Sequence, residues 1–351
     1  MDSDKPVIVQ LENDSASLTI DSFGGAITAF RLKENEINPL SFAFAKEQMP
    51  ANNTAGANYQ GHFGCIGRWG EPSAGEINAG LVNHGEPANI QWTIAERSDA
   101  VLNMYVVAAK EGLRVDRTIE MDQHSPVYAV KETITNINSL ERMYNIVQHP
   151  TLAAPFLDEN TLIDCNALDG FDQAHYKNIS AHIIEWPNDK DGLNNLIDLR
   201  NPHSSYNAVY SFIVNPADNY GWITSFSPTH HLLFGYVWKR TDYPWIHLWQ
   251  HFMRDKIQYR GIEFGTAGIH QPFSEILDTA TTIFGEKTYA FIDAGETITK
   301  NYFSFIQSVE DGFTGVENIY FAEGQLIIKA KNGGKGINFK LTQNLINELS
   351  E

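Results

Sequence analysis

The chain has 351 residues, a net charge of −18, 42% hydrophobic and 19% charged residues. That balance supports a folded core and excludes a disordered chain. The acidic excess opposes nucleic-acid backbones and anionic membranes, and it weighs against a phosphorylated substrate.

In chain order, MDSDKPVIVQ lacks the basic region and apolar core of a secretory signal. No window holds eighteen consecutive apolar residues, so no membrane span is expected and a cytoplasmic protein is the simplest reading. The dominant period is two. Residues 16–20, 26–32, 101–107, 113–121, 127–137, 232–238 and 298–306 read as strands. In Leu113–Met121 the apolar face is broken only by Arg117. Turn signals recur at Phe23-Gly24-Gly25, Asp169-Gly170, Asp191-Gly192, Asn219-Tyr220-Gly221 and Asp293-Ala294-Gly295. Helical periodicity is rare and is clearest over Leu341–Leu349. The fold class is therefore all-β, a sandwich of large twisted sheets with few short helices. Residues 1–308 are expected to form one β domain. Residues 309–351 are expected to add a C-terminal β-hairpin extension, with Asn332-Gly333-Gly334 at its turn, covering a sheet edge. Cys65 and Cys165 show no metal spacing and read as free thiols.

Residues 40–90 are rich in loop formers, and loops of that length usually carry function or lie over a site. Within them, Gly67-Arg68-Trp69-Gly70 places a forked donor beside an aromatic face. That pair suits a sugar, or it is an arginine stacked on tryptophan for structure alone. His84, in Asn83-His84-Gly85-Glu86, sits in a loop and not on an apolar face; a surface histidine without a role is the other reading. His149, in Gln148-His149-Pro150-Thr151, reads as a strand-end residue projecting into a cleft, with Pro150 stopping the ladder. Its ordinary pKa of about 6.5 suits proton transfer near neutrality; a structural histidine is the competing account. In Trp245-Ile246-His247-Leu248-Trp249-Gln250-His251, four large groups alternate onto one strand face, either a sugar platform or a crowded sheet face. Glu263, in YRGIEFGTAGIH, is a carboxylate in a strand flanked by glycines that permit close approach. A glutamate and a histidine in one cleft make a general base and a general acid.

The sequence resembles the aldose 1-epimerases, the galactose mutarotase-like family. The likeness rests on ENDSASLTIDSFGGAITAFRL near the start, GRWGEP at 67–72, NHGE at 83–86, NIVQHPTLAAPFLDENTLID at 145–164, RGIEFGTAG at 260–268 and ETITKNYFSF at 296–305. It spans roughly residues 10–306 and implies a β-supersandwich of antiparallel sheets. It also implies interconversion of the α and β anomers of a free monosaccharide, a hexose, with no cofactor; the acidic residues show no EF-hand-like spacing, so no metal is expected. Glu263 then matches the general base and His149 the general acid. His84 and Arg68 match sugar-binding positions, and Asp242 and Trp249 are added as substrate-binding candidates. Asp242, in a turn-like RTDYPW, also reads as an ordinary turn residue. The segment QHPTLAAPFLD departs from the family's NHxYFNL-like form, which marks a divergent branch. A monomer or homodimer is expected. The rival readings are a non-catalytic carbohydrate-binding protein on the same fold and a glycoside-active enzyme of a related supersandwich. The latter normally needs two facing carboxylates, and only Glu263 stands out. A hexose-6-phosphate epimerase would need a cationic phosphate pocket, for which the acidic balance gives little support.

Overall fold

Strands form where the side chains alternate. In the computed structural model, which describes residues 6–348 apart from 54, 191–193 and 202–206, Leu113–Met121 buries every odd-numbered residue and leaves every even one partly exposed. Arg117 obeys this pleat. Its guanidinium lies 2.6 Å from the fully buried Glu132 and 4.3 Å over the Trp92 ring, so the break in the apolar pattern is a buried ion pair. The other expected strands occur at Ala16–Asp21, Ala26–Leu32, Val101–Ala108, Val127–Asn136, Leu232–Lys239 and Thr297–Ser308. The Asp191-Gly192 turn signal and residue 349 of the tail lie outside the described residues. Gln343–Glu348 is helical.

The strands build two large antiparallel sheets. The first has thirteen strands among the described residues. Five of them matter for the site: β1 (His62–Gly67), β2 (Arg142–Ala153), β3 (Ala208–Val214), β4 (Trp245–Met253) and β5 (Lys256–Gly265). They lie side by side in the order β1-β2-β5-β4-β3. Ala26–Leu32 continues beyond β1, and Ala167–Asp172 continues beyond β3. The second sheet has eight strands. Its inner residues, such as Val115, Ile134 and Phe234, meet Leu18, Phe30, Ile262 and Phe264 of the first sheet in one apolar core.

That core contains a polar thread. His62 contacts the Tyr236 hydroxyl and the Gln148 side-chain oxygen, each at 3.1 Å. Gln148 donates to Glu132 at 2.6 Å. Buried polar groups persist when they are mutually satisfied, as here.

Two expectations need correction. Pro150 does not end its strand: β2 runs on to Ala153, with Pro150 opposite His62 of β1. The missing N–H interrupts pairing only toward β5, where the ladder lapses between Gln148 and Thr151. The C-terminal segment contains the expected hairpin, Gln325–Ala330 against Ile337–Lys340 with Asn332-Gly333-Gly334 between them, but it is more than that hairpin. It is a three-stranded sheet, Val316–Ala322, Gln325–Ala330 and Ile337–Lys340. A first turn falls at Glu323-Gly324, where both residues have positive φ. This small sheet covers the outer face of the second large sheet instead of its edge. Leu326, Ile328 and Phe339 pack on Leu233, Val237, Phe303 and Phe305, which are apolar outward positions that require a cover.

Candidate active site

The face of the first sheet that points away from the core carries one row of side chains across five strands. Phe63 of β1 pairs with His149 of β2. Gln148 pairs with Phe264 and Thr151 with Gly261, which puts positions 149 and 263 opposite each other on β2 and β5. Glu263 pairs with His247 of β4, and His247 pairs with Ser211 of β3. Register therefore brings together residues far apart in the chain.

His149 Nε2 lies 3.3 Å from Glu263 Oε1, and both residues are buried. The other imidazole nitrogen of His149 is 3.1 Å from the Thr151 hydroxyl. The ring stacks on Phe63 at 4.4 Å, which fixes its plane. Glu263 Oε2 is buried without a hydrogen-bond partner among the described residues. Gly261, two positions back on the same strand face, leaves room for the carboxylate. A Cβ there would stand 2.5 Å from Glu263 Oε1.

The electrostatics follow from desolvation. Burial pushes the Glu263 carboxyl well above its usual range, against a hydrogen bond to the Trp69 side chain that pulls it down. Burial lowers His149 to about 3, with a backbone hydrogen bond opposing the shift. Both groups are driven toward their uncharged forms, so the pair carries one proton between two basic atoms.

The pair opens into a cavity of about 130 Å³. His84 lies beside it, its ring 5.5 Å from that of His149, with Nδ1 facing the Gly70 N–H at 3.3 Å and Cys65 Sγ at 3.1 Å. Trp249 forms part of the wall with Phe42 and Phe44. The loop-rich stretch 40–90 thus lies over the site, supplying Phe42, Phe44, Tyr59, Trp69 and His84. A larger cavity of about 560 Å³ lies between the C-terminal sheet and the sandwich. Two charged groups in its lining, Lys335 and Glu310, are paired with each other, and it has no comparable acid–base pair.

Glu263, His149, His84 and Trp249 therefore share one cavity, and two other candidates do not reach it. Arg68 is buried in an ion cluster, 3.0 Å from Glu76 and 3.2 Å from Glu111. Its side chain turns into that cluster where the chain leaves β1 and bends between Gly67 and Gly70, while the next residue, Trp69, lines the cavity. Asp242 sits in the turn before β4, 3.5 Å from Lys300 and accepting from the Asn301 backbone N–H at 3.3 Å.

Three further residues adjoin the site, of which the sequence offers Trp69 and His247 only within larger motifs and gives His270 no role. Trp69 lines the cavity, and its ring lies 4.1 Å from that of His247. His247 is held by the Ser211 hydroxyl at 2.8 Å, which in turn accepts from Gln173 at 2.6 Å. His270 also lines the cavity. Their signals were present: His270 closes the YRGIEFGTAGIH stretch, and His247 belongs to the alternating run of β4. The rest of that run divides, since Trp245 is buried in a separate apolar cluster while His251 stacks on Tyr259.

Both cysteines are free and buried. Among the described residues, no group of His, Cys, Asp and Glu is placed to hold a metal ion, and no helix is long and apolar enough to cross a membrane.

These sheets and their connections are those of a galactose mutarotase-like β-sandwich. Solved structures that match it include the Slr1438 protein of Synechocystis sp. PCC 6803, with a TM-score of 0.61 and 14% identity over 88% of this chain and 98% of that one. A galactose mutarotase related enzyme from Lactobacillus acidophilus matches with a TM-score of 0.61 and 11% identity over 87% and 99%. A galactose mutarotase-like protein from Lactobacillus casei matches with a TM-score of 0.56 and 11% identity over 86% and 100%. No protein-family model matches the sequence, and no curated protein matches it. At these identities the likeness defines the fold, and function must be argued from the site.

Proposed function

We propose that this protein is an aldose 1-epimerase that interconverts the α and β anomers of a free monosaccharide. The observation that carries this reading is the register-matched pair of buried side chains His149 and Glu263, 3.3 Å apart in a small cavity. A cavity of about 130 Å³ falls well below the roughly 300–1,000 Å³ typical of larger ligands, so a single ring suits it better than an oligosaccharide.

The chemistry needs one acid and one base, and the pair supplies both with one proton. As sugar hydroxyls enter, that proton passes from Glu263 to His149. Glu263 then takes the proton of the C1 hydroxyl, the C1–O5 bond breaks to leave a C1 carbonyl, and His149 protonates O5. Rotation about C1–C2 presents the other carbonyl face, and the reversed transfers close the ring. Positioned acid–base groups typically contribute about 10²–10⁴-fold, which suits a reaction that already proceeds in water. His84 and Trp249 hold the ring beside the pair.

The test is polarimetry, or NMR exchange between anomers, on a panel of freshly dissolved aldoses. Acceleration of at least one aldose above the buffer rate is expected. Binding without acceleration across the panel would leave a sugar-binding protein and remove the proposed activity.

Gly261→Ala provides a geometric check. Its Cβ would collide with Glu263 Oε1 and crowd Trp249 Cβ at 3.1 Å. Misplacing a reacting group by about 1 Å can cost on the order of 10²-fold. A loss of that size is expected in kcat, with an unchanged circular dichroism spectrum. Unaltered turnover would mean that the carboxyl position is not critical.

A further inference from the structure

Resting on the epimerase reading, we infer that the cavity selects deoxygenated aldoses, sugars with a methyl or methylene where glucose and galactose carry hydroxyls away from C1. Part of the cavity wall is aromatic: Phe42, Phe44 and Trp249 interlock edge to face, with ring centroids 4.9–6.3 Å apart, and Val209 adds an aliphatic surface.

Some polar atoms that could hold hydroxyls are engaged elsewhere. The Tyr59 hydroxyl donates to the Asn83 carbonyl at 2.9 Å. His84 Nδ1 already faces a backbone N–H and a thiol. The guanidinium of Arg68 and the carboxylate of Asp242, which could have gripped hydroxyls in pairs, lie in other ion pairs.

Beyond the catalytic pair, His84 Nε2 and the His270 ring are left on the wall for the four remaining hydroxyls of an aldohexose. Each hydroxyl enclosed without a partner loses its water and gains nothing in return. A methyl or methylene in the same place gains apolar contact instead, and its C–H bonds meet the negative faces of the rings. Size agrees. The cavity is about 130 Å³, close to the roughly 150 Å³ apolar cavity that admits a benzene-sized ring. A ring with few substituents fits that space better than a fully hydroxylated hexose.

The experiment compares kcat/KM for anomer exchange in one preparation of the full chain, so that folding cancels. The substrates are D-glucose, D-galactose, their 6-deoxy analogues and a 3,6-dideoxyhexose. Each deoxy sugar is expected to exceed its parent by at least tenfold, with the dideoxy sugar highest. Phe44→Asn, which puts a donor and an acceptor on the aromatic wall, should lower that ratio severalfold. Parents that equal or exceed their deoxy analogues would overturn the inference and leave the epimerase activity standing. No acceleration of any sugar would remove both.

Discussion

Replacing Glu263 with glutamine is expected to slow anomer exchange by about 10³-fold or more while leaving the fold and the cavity in place. The side chains match in shape, so packing against Trp69 and clearance over Gly261 are kept. What changes is proton capacity. An amide oxygen cannot take the C1 hydroxyl proton, and no proton remains to be shared with His149. The expected loss lies within the range for removal of a positioned acid–base group. NMR exchange on the best substrate measures the rate, and quenching of Trp69 or Trp249 fluorescence by the sugar measures binding separately. Retained binding with lost turnover is the expected pattern. If the variant kept more than a tenth of the wild-type rate, Glu263 would be a wall residue and not the base. In the wild type, burial moves the two pKa values apart, with His149 down to about 3 and Glu263 well above the usual carboxyl range. The one-proton form thus spans the middle of the pH scale. The rate should be flat there and fall on the alkaline side as Glu263 loses its proton.

Much of the architecture was legible because strands advertise themselves through alternation, and even the apparent exception at Arg117 lies on its expected face. The site was legible only residue by residue. Glu263, His149 and His84 stood out as polar groups in unusual settings, but their convergence depends on strand register. Nothing local to either segment states that position 149 lies opposite position 263. Arg68 attracted attention that belonged to its neighbour: the chain bends between Gly67 and Gly70, both of positive φ, and only Trp69 lines the cavity while Arg68 joins the ion cluster. Asp242 was drawn from a turn, where an aspartate is ordinary. Pro150 looked like a strand end because a proline lacks a donor, yet only the bonding toward β5 was lost. Phe42 and Phe44 alternate within a loop-like stretch, and their place over the cavity follows from how that loop folds back.

Acid is expected to unfold this protein well before most of its carboxylates are protonated. His62, His149 and His247 are each buried, and burial lowers each to about 3, against about 6.5 in an unfolded chain. Below about pH 6.5 the unfolded state therefore binds three protons that the folded state refuses. Their contribution to stability is fully present above that pH and is lost as pH falls toward 3. Glu263 works in the opposite direction. Its raised pKa lets the folded state keep a proton that the unfolded chain releases above about pH 4.3. From these four groups alone the difference is about two protons between pH 5.5 and 4.3, and about three below it; His84 and His270, which burial also lowers, add to it. The four-group difference corresponds to slopes of roughly 2.7 and then 4 kcal/mol per pH unit. Against a total stability on the order of 5–15 kcal/mol, such slopes exhaust the folded state within a few pH units. Urea midpoints measured from pH 8 to 4 should peak near pH 7, decline gently above it because the unfolded chain releases the proton that Glu263 keeps in the fold, and fall steeply below about pH 6. His247→Gln should lessen the slope by about one proton, because the Ser211 hydroxyl would then face a group that does not titrate. A midpoint that stays constant from pH 7 to 5 would mean that these imidazoles reach water or hold their charge in the folded state. The uncharged His149 on which the one-proton pair depends would then be in error as well.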